Sequence, residues 1–174
     1  DLVRSRGLGD VYKRQDGTMG FESAYSYVAL PSSPEIYARG YFYVNLSGIA
    51  DNNDRFYFIV LRAGDNGVAY GGWRQINGGV KWNLIIRDGT GWTTAYSAVV
   101  LSLNQLYSVE LHWVKNSTGG YGELYVDGVL TISISGRNTA AFGDVDQVRF
   151  GLAELYNSGP TTIYGDNFVV SKAY

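Results

Sequence analysis

The stretch from Leu106 to Gly136, LYSVELHWVKNSTGGYGELYVDGVLTISISG, admits few folds. Tyr107, Val109, Leu111 and Trp113 alternate with Ser108, Glu110, His112 and Val114. After a turn rich in Asn, Ser and Gly the alternation resumes, with Leu124 and Val126 set against Glu123, Tyr125 and Asp127. Period-two alternation broken by glycines is the pattern of antiparallel strands joined by a hairpin. Asp127-Gly128 then tolerates the positive φ angles of a tight turn and leads to Leu130, Ile132 and Ile134, a third apolar row. The stretch predicts a three-strand meander with one oily face.

The rest of the chain repeats this pattern. Strands are predicted at Tyr25 to Leu30, Ile36 to Leu46, Arg55 to Arg62, Val68 to Ile76, Val80 to Arg87, Gly91 to Val100, Val145 to Tyr156 and Thr161 to Ala173. Pro31-Ser32-Ser33-Pro34 is expected to break the pattern, because proline removes a ladder donor. In Arg55 to Arg62 both faces are apolar, Phe56, Phe58 and Val60 against Tyr57, Ile59 and Leu61, which predicts a central strand covered on each side. About eleven or twelve strands at this spacing, with almost no helix, predict an all-β antiparallel two-sheet sandwich. Among 174 residues, 45% are hydrophobic, enough for a sizeable core in a single domain.

Residues Asp1 to Gln15 differ from the rest of the chain. They hold Arg4, Arg6, Lys13 and Arg14 and show no strand alternation, so they read as a non-native or disordered arm, with one domain over residues 16–174. The formal charge of −2 offers no basis for holding a phosphate backbone, which argues against nucleic acid. Without cysteine there is no disulfide framework and no thiolate metal site. No apolar run reaches the roughly 20 residues that span a bilayer. Asn45-Leu46-Ser47 and Asn116-Ser117-Thr118 match the glycosylation sequon, which matters only in a eukaryotic secretory host.

The ordered run GFES, VELHW, ELYVDGVL, DVDQVRFGL and GDNFVVS resembles the concanavalin A-like lectin/glucanase superfamily, most closely its laminin-G-like jelly rolls from secreted microbial and viral proteins. The resemblance spans Phe21 to Tyr174. It implies two curved antiparallel sheets with ligands on a concave face or rim loops. It also implies a secreted or surface location, within a larger multidomain chain. Members include sugar-binding modules, glycosidases, polysaccharide lyases and adhesive domains, so the fold does not select among them.

Four groups of residues are candidates for chemistry. The glucanase pattern Glu-x-Asp-x-x-Glu, which supplies the two carboxylates of a retaining mechanism, is missing; its nearest approaches are Glu123 with Asp127 and Asp144 with Asp146. Glu110 and His112 share the polar face of one strand and face Glu123 or Tyr125 across the hairpin. They form either a general-base site or an outer polar ladder. The resemblance implies a structural Ca²⁺ between the chain ends at Glu22 and Asp166, with Asp16 and Asn167 as helpers, since calcium takes six to eight oxygen ligands. Finally, Tyr57, Tyr70, Trp73, Trp92 and Tyr96, with Arg74, Asn83 and Arg87 as polar neighbours, supply flat platforms and a few polar groups of the kind that hold a sugar chain. Trp82 and Trp113 lie on apolar rows and belong to the core. The reading is a non-catalytic carbohydrate-binding or adhesion module. The alternatives are a glycan-degrading enzyme using Glu110, His112 and Glu123, and a structural module of a phage or virion fibre.

Overall fold

The computed structural model describes residues 3–5, 11–13, 22–156 and 159–172. Within them are thirteen strands: β1 (Val3–Ser5), β2 (Val11–Lys13), β3 (Glu22–Ser33), β4 (Glu35–Leu46), β5 (Arg55–Ala63), β6 (Asn66–Ile76), β7 (Gly79–Asp88), β8 (Gly91–Val100), β9 (Leu106–Val114), β10 (Gly120–Val126), β11 (Val129–Arg137), β12 (Val145–Tyr156) and β13 (Thr161–Lys172). A single 3₁₀ turn, Thr139–Phe142, is the one helical segment among the described residues. The strands form two antiparallel sheets. One runs β1-β13-β4-β9-β10-β11, with β2 also on β13; the other runs β3-β12-β5-β6-β7-β8. This is a concanavalin A-like jelly-roll sandwich.

The alternation read in the sequence sets which side chains meet between the sheets. Ile36, Phe42, Leu111, Trp113, Ile163 and Phe168 come from one sheet, and Phe58, Trp73, Trp82, Leu84, Ile86 and Phe150 from the other. Phe150 stacks on Phe168 at 4.5 Å and Phe42 lies 4.7 Å from Phe58, so the aromatic layer spans the interface. Removing a fully buried aromatic such as Trp113 from such a layer costs about 3–5 kcal/mol. Leu130, expected in this layer with Ile132 and Ile134, is instead 47% exposed because the β10–β11 register shifts between Leu124 and Tyr125 and pairs it with the outward-facing Tyr125.

Two local expectations give way to sheet context. Strand β3 runs straight through Pro31 to Ser33. It pairs only with β12 and is therefore an edge strand, where a proline can face away from the ladder. In β5 the strict alternation fails at Phe58. Tyr57 pairs with Gly72 and Ile59 with Gly71, so one extra residue is accommodated as a bulge. Beyond it the faces exchange: Ile59 and Leu61 join Phe56 and Phe58 in the core, while Val60 turns outward with Tyr57. The bulge needs Gly72, because a Cβ there would lie 2.0 Å from the Phe56 carbonyl oxygen.

Candidate functional site

The outward face of the β3-β12-β5-β6-β7-β8 sheet is organised as cross-strand ladders. One runs Glu154, Tyr57, Gly72, Asn83 and Tyr96 across five strands. The next runs Tyr27, Arg149, Val60, Tyr70, Ile85 and Thr94 across all six. A cleft of about 370 Å³ opens over these two ladders. Tyr57, Tyr70, Trp92, Arg55, Arg74 and Glu154 line it, with Ile85 and Thr94 completing the floor.

The aromatic rings hold one another in place. Tyr57 meets Tyr70 edge to face at 5.0 Å, and Tyr70 meets Trp92 in the same way at 5.4 Å. Tyr57 and Tyr70 are buried, packed with Val60 and Ala153 in a small apolar cluster separate from the main core. Trp92 remains 52% exposed and Tyr96 38%, so these two present ring surface to solvent. The turn before Trp92 is held by Asp88, whose carboxylate accepts hydrogen bonds from Thr90 N (2.8 Å) and Thr90 Oγ1 (2.6 Å). Those bonds, first the side-chain one, hold the Asp88 carboxyl below its usual range.

The remaining predicted residues divide. Arg87 pairs with Trp92 across β7 and β8, with its guanidinium carbon 5.2 Å from the indole centroid, and donates to Asn66 Oδ1 at 2.9 Å. Asn83 is on the cleft face but fully buried, and its Nδ2 donates to the Ala95 carbonyl at 3.1 Å, so it ties β7 to β8 beneath the surface. Trp73 is not on this face. It is 1% exposed in the inter-sheet core, 5.4 Å from Phe56 and 5.8 Å from Trp82, because the β6 register places it opposite the core residue Phe56. Arg55 and Glu154 are cleft residues that the sequence does not single out. Arg55 opens its strand and looks like a turn residue, while Glu154 reaches the face only through the irregular β12–β5 register between Phe150 and Glu154.

Burial chiefly raises the pKa of Glu154; a hydrogen bond to Tyr70 and the nearby Arg62, Arg149 and Arg55 charges oppose the shift without cancelling it. Burial likewise pushes the Tyr57 and Tyr70 phenols upward, so both remain protonated donors at neutral pH.

Glu110, His112 and Glu123 lie on the outward face of the other sheet. They share a face as the alternation predicts, and the hairpin register settles the partners, placing Glu123 opposite His112 and Tyr125 opposite Glu110. His112 is 4% exposed and stacks 3.8 Å below Tyr37. Its Nε2 is 3.0 Å from Glu35 and its Nδ1 3.2 Å from Glu123. Both ring nitrogens are thus engaged by carboxylates, with Tyr125 Oη donating to Glu123 at 2.8 Å. Glu35 is not visible in the sequence as a member because it comes from 77 residues away in the chain.

Of the calcium candidates, Glu22 begins β3 and pairs with Leu155, while Asp166 sits in β13 opposite Tyr41. Asp166 accepts from the Asn167 N–H at 2.7 Å. Asp16 lies outside the described residues. Among the described residues no group of three or more His, Asp or Glu side chains is disposed to hold a metal ion. No helix among them is long and apolar enough to cross a membrane.

Several solved structures share this architecture at low identity. The endo-β-1,4-glucuronan lyase of Trichoderma reesei matches with a TM-score of 0.60 at 15% identity, over 99% of this chain and 87% of that one. A heptameric SAP-like pentraxin from Limulus polyphemus matches at 0.61 and 10% identity, over 98% and 75% of the two chains. The CBM2 module of the evolved Dit of Lactobacillus casei BL23 phage J-1 matches at 0.59 and 12% identity, over 97% and 78%. No protein-family model matches the sequence, and no curated protein does. The likeness establishes the fold class, and the side chains of the cleft have to carry the function.

Proposed function

We propose that the chain is a non-catalytic carbohydrate-binding module that holds a glycan in the cleft of its six-stranded sheet. The observation that carries this reading is the exposed ring surface of Trp92 and Tyr96, on the same face as the Tyr57–Tyr70 pair and beside a preformed cleft. Sugar rings stack on such surfaces, and a few fixed polar groups set their orientation. The similar structures include a lyase acting on glucuronan and a CBM2 module, which fits a glycan-handling face on this sandwich. A secreted or surface-exposed setting within a larger protein, in an adhesive role, follows from the same reading.

Hydrolysis is the weaker reading. A glycosidase of the usual kind needs two carboxylates flanking one bond, and the cleft lining contains Glu154 alone. The phenols of Tyr57 and Tyr70 are raised rather than lowered, which disfavours them as bases. His112 and its carboxylates lie on the opposite sheet. A fibre module without a small ligand is the reading left if no glycan binds. Calorimetric titration with soluble polysaccharides tests the proposal. Trp92→Ala is expected to weaken binding about tenfold or more, the scale of losing one aromatic anchor. Release of shortened or unsaturated chains would instead make the protein an enzyme.

A Ca²⁺ tie between the chain ends is a separate proposal. It is supported by Asp166 and by its neighbour Asn167, which holds a positive φ of 52° at a break in the β13–β4 register.

A further inference from the structure

The cleft face concentrates positive charge in a chain whose overall charge is negative. Arg55, Arg74 and Lys81 follow one another along one ladder on one side of the aromatic floor. Arg62, Arg87 and Arg149 occupy outward positions of β5, β7 and β12 on the other side. Two of these six cations, Arg55 and Arg74, line the cleft itself, whose lining has a single carboxylate, Glu154. The chain as a whole is −2.

No ion pair among the described residues holds these cations, although Arg62, Arg149 and Arg55 lie near enough to Glu154 to oppose the rise of its pKa. Among the described residues the ion pairs are His112 with Glu35 and Glu123, and Lys115 with Asp144. None involves the cleft face. Instead four of the arginines lie over rings: Arg55 over Tyr156 at 4.7 Å, Arg74 over Tyr96 at 5.8 Å, Arg87 over Trp92 at 5.2 Å and Arg149 over Tyr25 at 4.5 Å. Their hydrogen bonds go to uncharged acceptors, Asn53 O from Arg55, Asn53 Oδ1 from Arg74, Asn66 Oδ1 from Arg87 and Gln147 Oε1 from Arg149. Stacking orients each guanidinium without cancelling its charge. A planar fork held in this way is suited to accept a carboxylate through paired N–H donors.

We infer that the cleft's ligand is an acidic glycan, its uronate carboxylates received by the arginine rows while its sugar rings lie on Trp92 and Tyr96. This rests on the glycan-binding reading above and narrows it to one ligand class. A neutral glycan would leave six like charges around the floor with Glu154 as the one lining carboxylate to offset them, whereas an anionic chain relieves that repulsion.

The test titrates the full chain with polygalacturonate, with the same polymer fully methyl-esterified, with dextran sulfate and with single-stranded DNA. Affinity for polygalacturonate is expected to exceed that for its methyl ester about tenfold or more, to fall with added salt, and to drop in Arg55→Gln/Arg74→Gln. Lys81→Gln and Arg62→Gln, one on each side of the floor, give the same direction if the double variant folds poorly. Equal binding of the ester, lost in Trp92→Ala, overturns the charge inference and leaves the glycan-binding reading standing. Binding to none of the polymers overturns both. Dextran sulfate or DNA bound as tightly as polygalacturonate, with the same dependence on the arginines, overturns the assignment to uronate carboxylates.

Discussion

Arg87 and Trp92 face each other across the β7–β8 hairpin, and the guanidinium covers part of one face of the indole while the ring stays half exposed. Phe142 supports the same guanidinium from 4.0 Å. A cation–π contact of this exposed kind contributes about 0.5–1 kcal/mol, so Arg87→Ala should lower stability only slightly. It should weaken glycan affinity more clearly, by releasing Trp92 and removing one charge. Paired calorimetric and thermal measurements on this variant separate the two effects.

Glu154 is expected to oppose the fold when ionised. Its folded-state pKa is raised above the ordinary 4.5, so the folded protein holds the proton more tightly than the unfolded chain does. The associated stabilisation is fully present below the unfolded pKa and is lost as pH rises through the folded one. Glu154→Gln should therefore melt higher than the parent at pH 7, with the difference closing on acidification. The same variant should bind polygalacturonate more tightly at pH 7, since it removes the one negative charge of the cleft lining. A lower melting temperature at pH 7 would show that the arginines need the carboxylate more than burial disfavours it.

His112 is expected to be structural. Its replacement by Ala leaves Glu35 and Glu123 facing each other without the intervening ring and removes the stacking partner of Tyr37. With the two carboxylates partly exposed, the cost should be about 1–3 kcal/mol. Glycan affinity should be unchanged, because the cluster lies on the opposite sheet. Loss of binding without loss of stability in denaturant titration would move the functional face to that sheet.

Gly72→Ala should be among the most damaging single-methyl changes. The added carbon meets the Phe56 carbonyl and the Tyr57 Cα at 2.0 and 2.6 Å, both backbone atoms that cannot rotate away. Overpacking of this kind costs about 1–3 kcal/mol or more. It should also weaken glycan binding beyond the stability loss, because the bulge that aims Tyr57 into the cleft has to move. Circular dichroism and titration of the same preparation test both effects.

The calcium proposal has a direct check. Added Ca²⁺ should raise the melting temperature, with excess chelator reversing the shift, because a ligand that binds only the native state stabilises it. Asp166→Ala should abolish the response. An unchanged melt in calcium and in chelator removes the metal from the description.

The all-β sandwich was legible in the sequence because alternation is a local property: Val109, Leu111 and Trp113 face the core for the same reason that Ser108, Glu110 and His112 do not. That Glu110 and His112 share an outward face and meet Glu123 or Tyr125 across the hairpin was legible too, while the register decided that Glu123 is the residue opposite His112. Four of the cleft aromatics, Tyr57, Tyr70, Trp92 and Tyr96, could be picked out by type and position along the middle strands. Trp73 lies three residues after Tyr70 in a strand whose pairing with β7 is unbroken, so alternation alone sets it on the opposite, core face; what counting could not place was Val60 beside Tyr57, which depends on a bulge in β5. That bulge, at Phe58, is a contact between Phe56 and Gly72, which lie far apart in the chain.

What the sequence by itself determined was the set of strands, their apolar rows and the turns between them, all of which depend on neighbours within a few residues. Tertiary structure alone decided which rows share a face. It brought Glu154 beside Tyr57, carried Glu35 to His112, and gathered onto one sheet arginines spread from residue 55 to residue 149. Net charge and composition are sums over the chain and carry no information about where charges lie. An acidic protein can therefore present a basic cleft, and only the pairing of distant strands reveals it.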